Sequence, residues 1–333
     1  MTDNLTLSVI LPNYNHACWL EESLSAILSQ ERQPDELIFI DDGSTDNSLE
    51  VAQSLLKSLP YAKIIENEKN IGCVPTLNKG LELATGDYIY FGAADDKVLP
   101  MFFKKSMDLL SESPDVGLCS AMTEMIAKNG QHLGLAPAPQ PSQYSRVFTA
   151  QQSRDLLYRH DSWFMGNTTI YRRRVLQELG GFSQELGALC DSFNCRVLAA
   201  KYGCAYIPQE LVAWRQMEGG MAWSLASSSS EVKRVGLLAR NLMETRYQNI
   251  FHKGYANRWY RRHIFEGWNF RRKLLLKTKV EAKNRSMTFL YQTLSLFLAF
   301  SFFMCMKPFD FRAAMQRFLN AHNNLVNMDN KYE

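Results

Sequence analysis

The sequence lacks both glycine signatures that hold phosphate through backbone N–H groups. No GxGxxG follows an apolar run and no GxxxxGK[ST] occurs in the 333 residues, so neither a dinucleotide-binding fold nor a P-loop fits. Phosphate, if bound, must be held by metal and by side chains. CxxC pairs are also missing. The seven cysteines, an odd number, read as reduced thiols and not as a zinc site or a disulfide framework. Met1-Thr2-Asp3-Asn4 has neither the basic nor the apolar region of a secretion signal, which points to a cytosol-facing chain. Low-complexity tracts are absent. Gly134 to Ser145, with Pro137, Pro139 and Pro141, reads as a loop, either an acceptor-side flap or a solvated connector. At 46% hydrophobic content the chain can fill one sizeable core plus an appendage.

What is present is an alternation. Four apolar runs, Leu7–Leu11, Leu37–Ile40, Ala62–Ile65 and Tyr88–Phe91, are separated by stretches with helical spacing: Trp19 to Leu28, Val51 to Leu56, and Leu77 to Leu83. Strands alternating with helices predict a mostly parallel sheet with right-handed crossovers. Ligands bind such sheets outside the carboxyl ends of the strands. All four ends here carry polar or acidic clusters: Pro12-Asn13-Tyr14-Asn15, Asp41-Asp42-Gly43-Ser44-Thr45-Asp46, Asn67 to Gly72, and Asp95-Asp96.

Each cluster has legible chemistry. Asp42 can accept from a nucleobase N–H or a ribose hydroxyl. Pro12 stiffens the first loop, and Tyr14 offers a ring to stack on a base. Asn70 and Gly72 form a close-approach turn, and Asn78 is expected to face the same side about two helical turns later. Ser44, Thr45 and Asp46 have the composition of a helix cap, so Asp46 reads as structural. Asp95 and Asp96 end a buried strand, and carboxylates so placed want a partner. Mn²⁺ or Mg²⁺ is the natural one, with substrate phosphate completing the shell; the alternative is an Asp-rich turn or cap.

Val9-Ile10-Leu11-Pro12-Asn13-Tyr14-Asn15, Asp41 to Asp46, Asn70-Ile71-Gly72, Asn78-Lys79-Gly80 and Gly86-Asp87-Tyr88-Ile89 together resemble the family 2 glycosyltransferases. The resemblance is densest over residues 5–100 and returns at Gly180-Gly181-Phe182 and at Ile207-Pro208 through Arg215. It is to bacterial-type enzymes of surface polysaccharide synthesis. It implies an α/β GT-A fold, Rossmann-like, with a mixed, mostly parallel sheet flanked by helices. It also implies a nucleoside diphosphate sugar as donor, with Pro12, Tyr14, Asn15, Asp42, Asn70, Gly72, Asn78 and Asp95 at its site. The family pattern has an acid where this chain has Ala93; metal and diphosphate contact then falls to Asp95 or Asp96.

The resemblance further places the catalytic carboxylate at Asp191, with Cys190 where an acid usually precedes it. A general base is what an inverting sugar transfer needs, to take the acceptor hydroxyl's proton. The alternatives are that Asp191 only caps the helix from Ser192 to Tyr202, or that Glu185 is the base. Trp214-Arg215 followed by Gly219-Gly220 suggests a lid, with Arg215 meeting the donor diphosphate.

The C-terminal third differs in character. Residues 253–285 hold eleven Lys or Arg against two Glu, with Trp259, Tyr260, Phe265, Trp268 and Phe270 interleaved. Ser286 to Met306 then runs 21 residues without a charge, about the length of a bilayer-spanning helix. Ser, Thr and Gln dilute the run, which leaves a spanning helix, an in-plane anchor or a buried helix open. Basic and aromatic residues beside an apolar stretch suit an anionic membrane surface. No RNA motif is present, so no nucleic acid is expected.

The expected organisation is a GT-A domain over 1–230, with a nucleotide-sugar half (1–100) and an acceptor half (101–230), followed by a helical, membrane-associated extension over 231–333. The expected reaction transfers a sugar to a hydroxyl of a lipid-linked or glycan acceptor at the cytoplasmic face of the inner membrane. A non-catalytic sugar-nucleotide or carbohydrate-binding module, and more distantly a nucleotidyltransferase, are the competing readings.

Overall fold

Residues 5–281 are described by a computed structural model. Their elements, in order, are β1 (Leu7–Asn13), α1 (Ala17–Leu28), β2 (Glu36–Asp41), α2 (Ser48–Leu56), β3 (Ala62–Glu66), α3 (Cys73–Leu83), β4 (Tyr88–Phe91), β5 (Lys97–Val98) and α4 (Phe102–Ser111). The second half adds β6 (Leu118–Ile126), β7 (His132–Leu135), β8 (Arg146–Phe148), α5 (Ala150–His160), β9 (Ile170–Arg172), α6 (Arg173–Leu179), α7 (Cys190–Tyr202), β10 (Cys204–Arg215), α8 (Met221–Ser227), α9 (Ser229–Glu244) and α10 (Tyr255–Glu281). Short 3₁₀ turns occupy Gly166–Thr168 and Gln184–Leu189.

The strands form one sheet in the order β3-β2-β1-β4-β9-β6-β10-β5, with β7 on β6 and β8 on β10. β1 pairs in parallel with β2 and β4, and β2 with β3. β9 enters antiparallel between β4 and β6, joining the halves. Alternation along the strands sorts their side chains onto two faces. Leu7, Val9, Leu11, Leu37 and Phe39 pack with Leu20, Leu24, Ala52, Phe102 and Met107 from α1, α2 and α4. Ile10, Ile38 and Ile40 point the other way, into a core with Val74, Leu81, Val175, Phe193, Val197 and Ala239 from α3, α6, α7 and α9. Strands covered on both faces need continuous apolar runs, and β2 is buried at every position.

The four expected strand positions and the three helical stretches between them are all present. Gly134 to Ser145 divides: Gly134 and Leu135 extend β7 against β6, and the remainder is irregular. One unit runs Met1–Ile264 and a second Phe265–Glu333. Basic composition marks α9 and the start of α10 as an extension, yet Ala239, Met243, Tyr255, Ala256 and Trp259 fill the core of the first unit. No helix among the described residues is long and apolar enough to cross a membrane. The uncharged run 286–306 lies outside the described residues.

Candidate active site

The tips of β1 and β2 are bound into one surface. Asn13 Nδ2 donates to Asp41 Oδ1 (2.9 Å) and to Ser44 Oγ (3.1 Å). The Ser44 N–H donates to Asp41 Oδ2 at 2.8 Å. Asn15, at φ +56°, turns its Oδ1 to accept from the N–H of Thr45 (2.7 Å). Asp46 accepts from Ser48 N and Oγ at the start of α2 and from Ala17 N at the start of α1. Asp46 is structural, as expected. Asn15, expected at the donor, has its carbonyl oxygen committed to fixing the loop. Tyr14, beside it, is 42% exposed, so its ring is available for stacking. Pro12 is half-buried within β1.

Asp42 is buried, and its carboxylate organises the next loop. Oδ1 accepts from Asn67 Nδ2 (2.8 Å) and Ile71 N (2.9 Å), and Oδ2 accepts from Gly72 N at 2.9 Å. Lys79 Nζ donates in turn to Asn67 Oδ1 (2.6 Å). The close-approach turn exists, with Gly72 at φ +96° and Asn70 exposed on the loop. Carbonyl-type lone pairs remain on Asp42 beyond these three bonds.

Asn78 departs from the expectation. Its Nδ2 donates to Phe182 O (2.9 Å) and its Oδ1 accepts from Phe182 N (2.8 Å). It clasps the Gly-Gly-Phe turn to α3 with one N–H and one carbonyl lone pair of its amide. The neighbouring Gly80 has a different job: a Cβ there would come 2.3 Å from Ile10 Cγ2, so glycine lets α3 lie close on β1. The Asn78-Lys79-Gly80 motif thus holds three distant segments together.

The two acids after β4 are not equivalent. Asp96 is 6% exposed, with Oδ1 accepting from Arg215 N (2.9 Å) and Oδ2 from Asn167 Nδ2 (2.9 Å). Burial pushes its carboxyl well above the ordinary range, helped by the charge of Asp95. With both oxygens taken by protein N–H groups, Asp96 is poorly placed to ligate a metal. The Asp95 side chain is partly exposed and takes no hydrogen bond from the described residues, while its backbone carbonyl accepts from Arg215 Nε (2.8 Å).

Arg215 is an interior residue. It ends β10, 2% exposed, with Nη2 on Glu22 Oε2 (2.6 Å) and Nη1 donating to Ala127 O (3.3 Å) and Lys128 O (2.8 Å). Four of its five N–H groups are engaged in the interior, so this guanidinium anchors the Asp95–Asp96 loop.

Asp191 stands in the first turn of α7, where the helix dipole favours negative charge. Its Oδ1 accepts from the adjacent Ser192 N (2.5 Å), although the helix N-cap is Leu189 and carries no side-chain cap bond, and Oδ2 projects over Gly166. A Cβ at Gly166 would lie 1.8 Å from that oxygen. Burial raises the Asp191 carboxyl above its usual range, opposed by the Ser192 N–H and the charge of Arg196. Glu185 lies in the 3₁₀ turn before α7.

Cys73, at the start of α3, ties the halves together. The residue is solvent-exposed, while neighbouring atoms crowd the thiol itself. Its thiol is pushed up to about 11, first by burial and then by the negative charges of Asp191, Asp42 and Asp95. Acids from β2, β4 and α7 thus bear on one space. Among the described residues no group of three or more His, Cys, Asp or Glu is arranged to hold a metal by itself.

Gly166, Asn167 and Cys73 had no sequence signal. Asn167 connects the two acid loops: besides Asp96, its Oδ1 accepts from Thr123 Oγ1 (3.2 Å) and its carbonyl from Tyr90 Oη (3.0 Å). The same 3₁₀ turn presents Gly166 to Asp191. The partners lie far apart in the chain, so no local pattern announces them.

Comparison with known proteins bears on the family and the fold. A family model described as Glycosyl transferase family 2 matches residues 8–180, just over half of the chain. An uncharacterized glycosyltransferase of Escherichia coli K12, YibD, is 35% identical over 122 residues, which make up 36% of this chain and 35% of that protein. The chain therefore matches about a third of that relative's length. Among solved structures, Staphylococcus aureus TarS 1–349 in complex with UDP-GlcNAc superposes with TM-score 0.61 at 19% identity, covering 81% of this chain and 74% of that one. A mannosyltransferase from Pyrobaculum calidifontis, in complex with GDP-Man and Mn²⁺, gives TM-score 0.55 at 19% identity, covering 96% and 87%. At such identities the structural likeness establishes the fold alone.

Proposed function

The chain belongs to glycosyl transferase family 2 and has the GT-A fold, and from that premise we propose that it moves one sugar from a nucleoside diphosphate sugar to a hydroxyl of a lipid-linked or polysaccharide acceptor. The observation that carries the reading is topological: Asp42 follows β2, Asp95 follows β4 and Asp191 opens α7 over the Gly166 turn, and the negative charges of all three raise the Cys73 thiol. This arrangement brings the carboxyl ends of β2 and β4, where a nucleotide would lie, together with a buried acid suited to proton transfer.

In this reading Tyr14 stacks on the base, and the Asp42-pinned loop 67–72 lies along the nucleoside. Asp191 takes the proton of the acceptor hydroxyl as its oxygen bonds to the anomeric carbon. The bond from that carbon to the diphosphate breaks on the opposite face, so the configuration inverts. Burial supports Asp191 as base, because a raised pKa makes the carboxylate a stronger proton acceptor.

The residues present fit a divalent cation held in the single-carboxylate manner. Both Asp95 side-chain oxygens are without a protein donor among the described residues, whereas each Asp96 oxygen already accepts one N–H, and Mg²⁺-type sites commonly use one or two carboxylates with substrate phosphates. When bound, Mn²⁺ or Mg²⁺ would neutralise charge on the departing diphosphate. Asn15, Asn78, Asp96 and Arg215 serve this site by holding its loops.

A membrane location at the cytoplasmic face rests on the basic run 253–285 and the uncharged run 286–306. Fractionation tests it: full-length protein found wholly in the soluble fraction at low salt would reject it.

Incubation with candidate nucleoside diphosphate sugars and Mn²⁺ tests the activity. Release of free nucleoside diphosphate supports transfer, and release of pyrophosphate would point to a nucleotidyltransferase. Thermal stabilisation by donor without any turnover across an acceptor panel would favour the binding module, the reading that Ala93 and Cys190 favour.

A further inference from the structure

A cavity of about 350 Å³ lies at the other end of the sheet from the acid cleft, lined by Leu5, Asp87, Tyr88, Pro114, Arg172, Arg173, Arg174 and Gln177. Its position follows from the topology. β1 and β4 run parallel, and Leu5 and Asp87 precede them. β9 runs against β4, so its last residue, Arg172, pairs with Tyr88 at the start of β4. The acids of the candidate active site follow the opposite ends of these strands. Its volume is at the lower end of the range for small-molecule sites.

Three consecutive arginines here face a single carboxylate, Asp87, among the lining residues. Two of the guanidinium groups are set in place by backbone carbonyls. Arg173 Nε donates to Gly86 O at 2.6 Å, and Arg172 Nη1 to Asp115 O at 3.3 Å. These bonds leave Nη2 of Arg173, and Nε and Nη2 of Arg172, without a protein acceptor among the described residues. Arg174 is more exposed and pairs only with Glu178 on its own helix (3.3 Å). Asp87 is itself engaged, its Oδ2 accepting from Thr6 N (2.9 Å) and Thr6 Oγ1 (2.8 Å). Leu5, Pro114 and the Tyr88 ring supply an apolar wall.

We propose that this cavity binds a phosphate-bearing group, a site separate from the donor and acceptor cleft. Guanidinium forks held in place by carbonyls, with N–H groups to spare, suit a tetrahedral oxyanion approached from two directions. Pre-set donors also lose less freedom on binding than flexible lysines. The phosphate belongs either to a free phosphorylated molecule or to a lipid headgroup. Either source meets the same donors.

The experiment uses the full chain and two variants, Arg172→Gln/Arg174→Gln and Arg174→Gln alone, with Arg173 kept because it supports Gly86. Circular dichroism and Tm establish that each variant is folded. Binding of inorganic phosphate and glycerol phosphate is measured by calorimetry in EDTA, which removes any metal-bridged binding at the acid cleft. Sedimentation with phosphatidylcholine vesicles, with and without phosphatidylglycerol, forms the second arm. The double variant should bind phosphate about tenfold more weakly, and the single variant by an intermediate factor. Weakening of phosphate binding alone assigns a free phosphorylated ligand; weaker sedimentation with the anionic vesicles as well assigns a headgroup. Phosphate affinity and vesicle binding both within about twofold of the parent chain in the double variant would overturn the proposal.

Discussion

Replacing Gly166 with alanine should disable turnover while sparing the fold and donor binding. Gly166 opens the 3₁₀ turn Gly166–Thr168 and is not among the residues with positive φ, so its backbone suits alanine. The obstacle is the Asp191 carboxylate. The new Cβ would stand 1.8 Å from Oδ2 and 2.8 Å from Cγ, where real Cβ contacts essentially never fall below 3.0 Å. The oxygen must therefore retreat by at least 1.2 Å, the difference between 3.0 and 1.8 Å. A misplacement of about 1 Å costs about 10²-fold in rate, or about 2.7 kcal/mol of activation free energy. The assay is nucleoside diphosphate release at saturating donor, with thermal shift reporting donor binding. A double-mutant cycle sharpens it. On an Asp191→Asn background the same alanine should cost less than about twofold, because the base it displaces is already gone. Turnover above half of the parent value, or costs that multiply in the double variant, would refute the reasoning.

The other expectations are simpler. Asp95→Ala should remove the Mn²⁺-dependent part of donor affinity; donor binding by the parent chain that is equally tight in excess EDTA would rule out metal bridging. Because burial raises the Asp191 carboxyl and a base acts only when deprotonated, the acid limb of kcat/KM should lie above the ordinary carboxylate value of 3.8. Arg196→Gln, which removes a charge that lowers this pKa, should move the limb higher still; a limb that stays put excludes Asp191 as the titrating group. Asp161 sits between Arg196 (3.5 Å) and Arg262 (2.9 Å), all three nearly buried, so Asp161→Ala should cost about 3–5 kcal/mol in urea unfolding by removing the carboxylate that both guanidinium groups share; a loss under about 1 kcal/mol contradicts it. Burial lowers the pKa of His263, whose ring Nε2 bonds Val232 O at 2.9 Å. The unfolded chain then binds that proton more tightly, so this contribution is present above the ordinary 6.5 and lost as pH falls through the lower folded value. The Tm advantage of the parent chain over His263→Gln should shrink on acidification below that point, and a constant difference would exclude the linkage.

Much of this chain is determined locally. Apolar runs such as Leu7–Leu11 and Leu37–Ile40 become strands because they are covered on both faces, and the helical spacing between them supplies the cover. The polar clusters at their ends then fall at one edge of a parallel sheet whatever the later chain does. That is why the positions of Tyr14, Asp42 and Asp95 were legible from residue order alone, and why the family motifs could be matched there.

Side-chain partnerships across long stretches of chain were not legible. Asn78 bonds the Phe182 backbone, and Arg215 reaches Glu22 and interior carbonyls, partners that residue order does not announce. Asp95 and Asp96 are adjacent and chemically alike; only the arrival of Asn167 and the Arg215 N–H separates the open carboxylate from the occupied one. Gly166 mattered only once folding brought Asp191 over it. Sequence periodicity sets which face a residue occupies, because that depends on its near neighbours. Which hydrogen-bond donors reach it depends on packing between elements, and only the tertiary structure decides that.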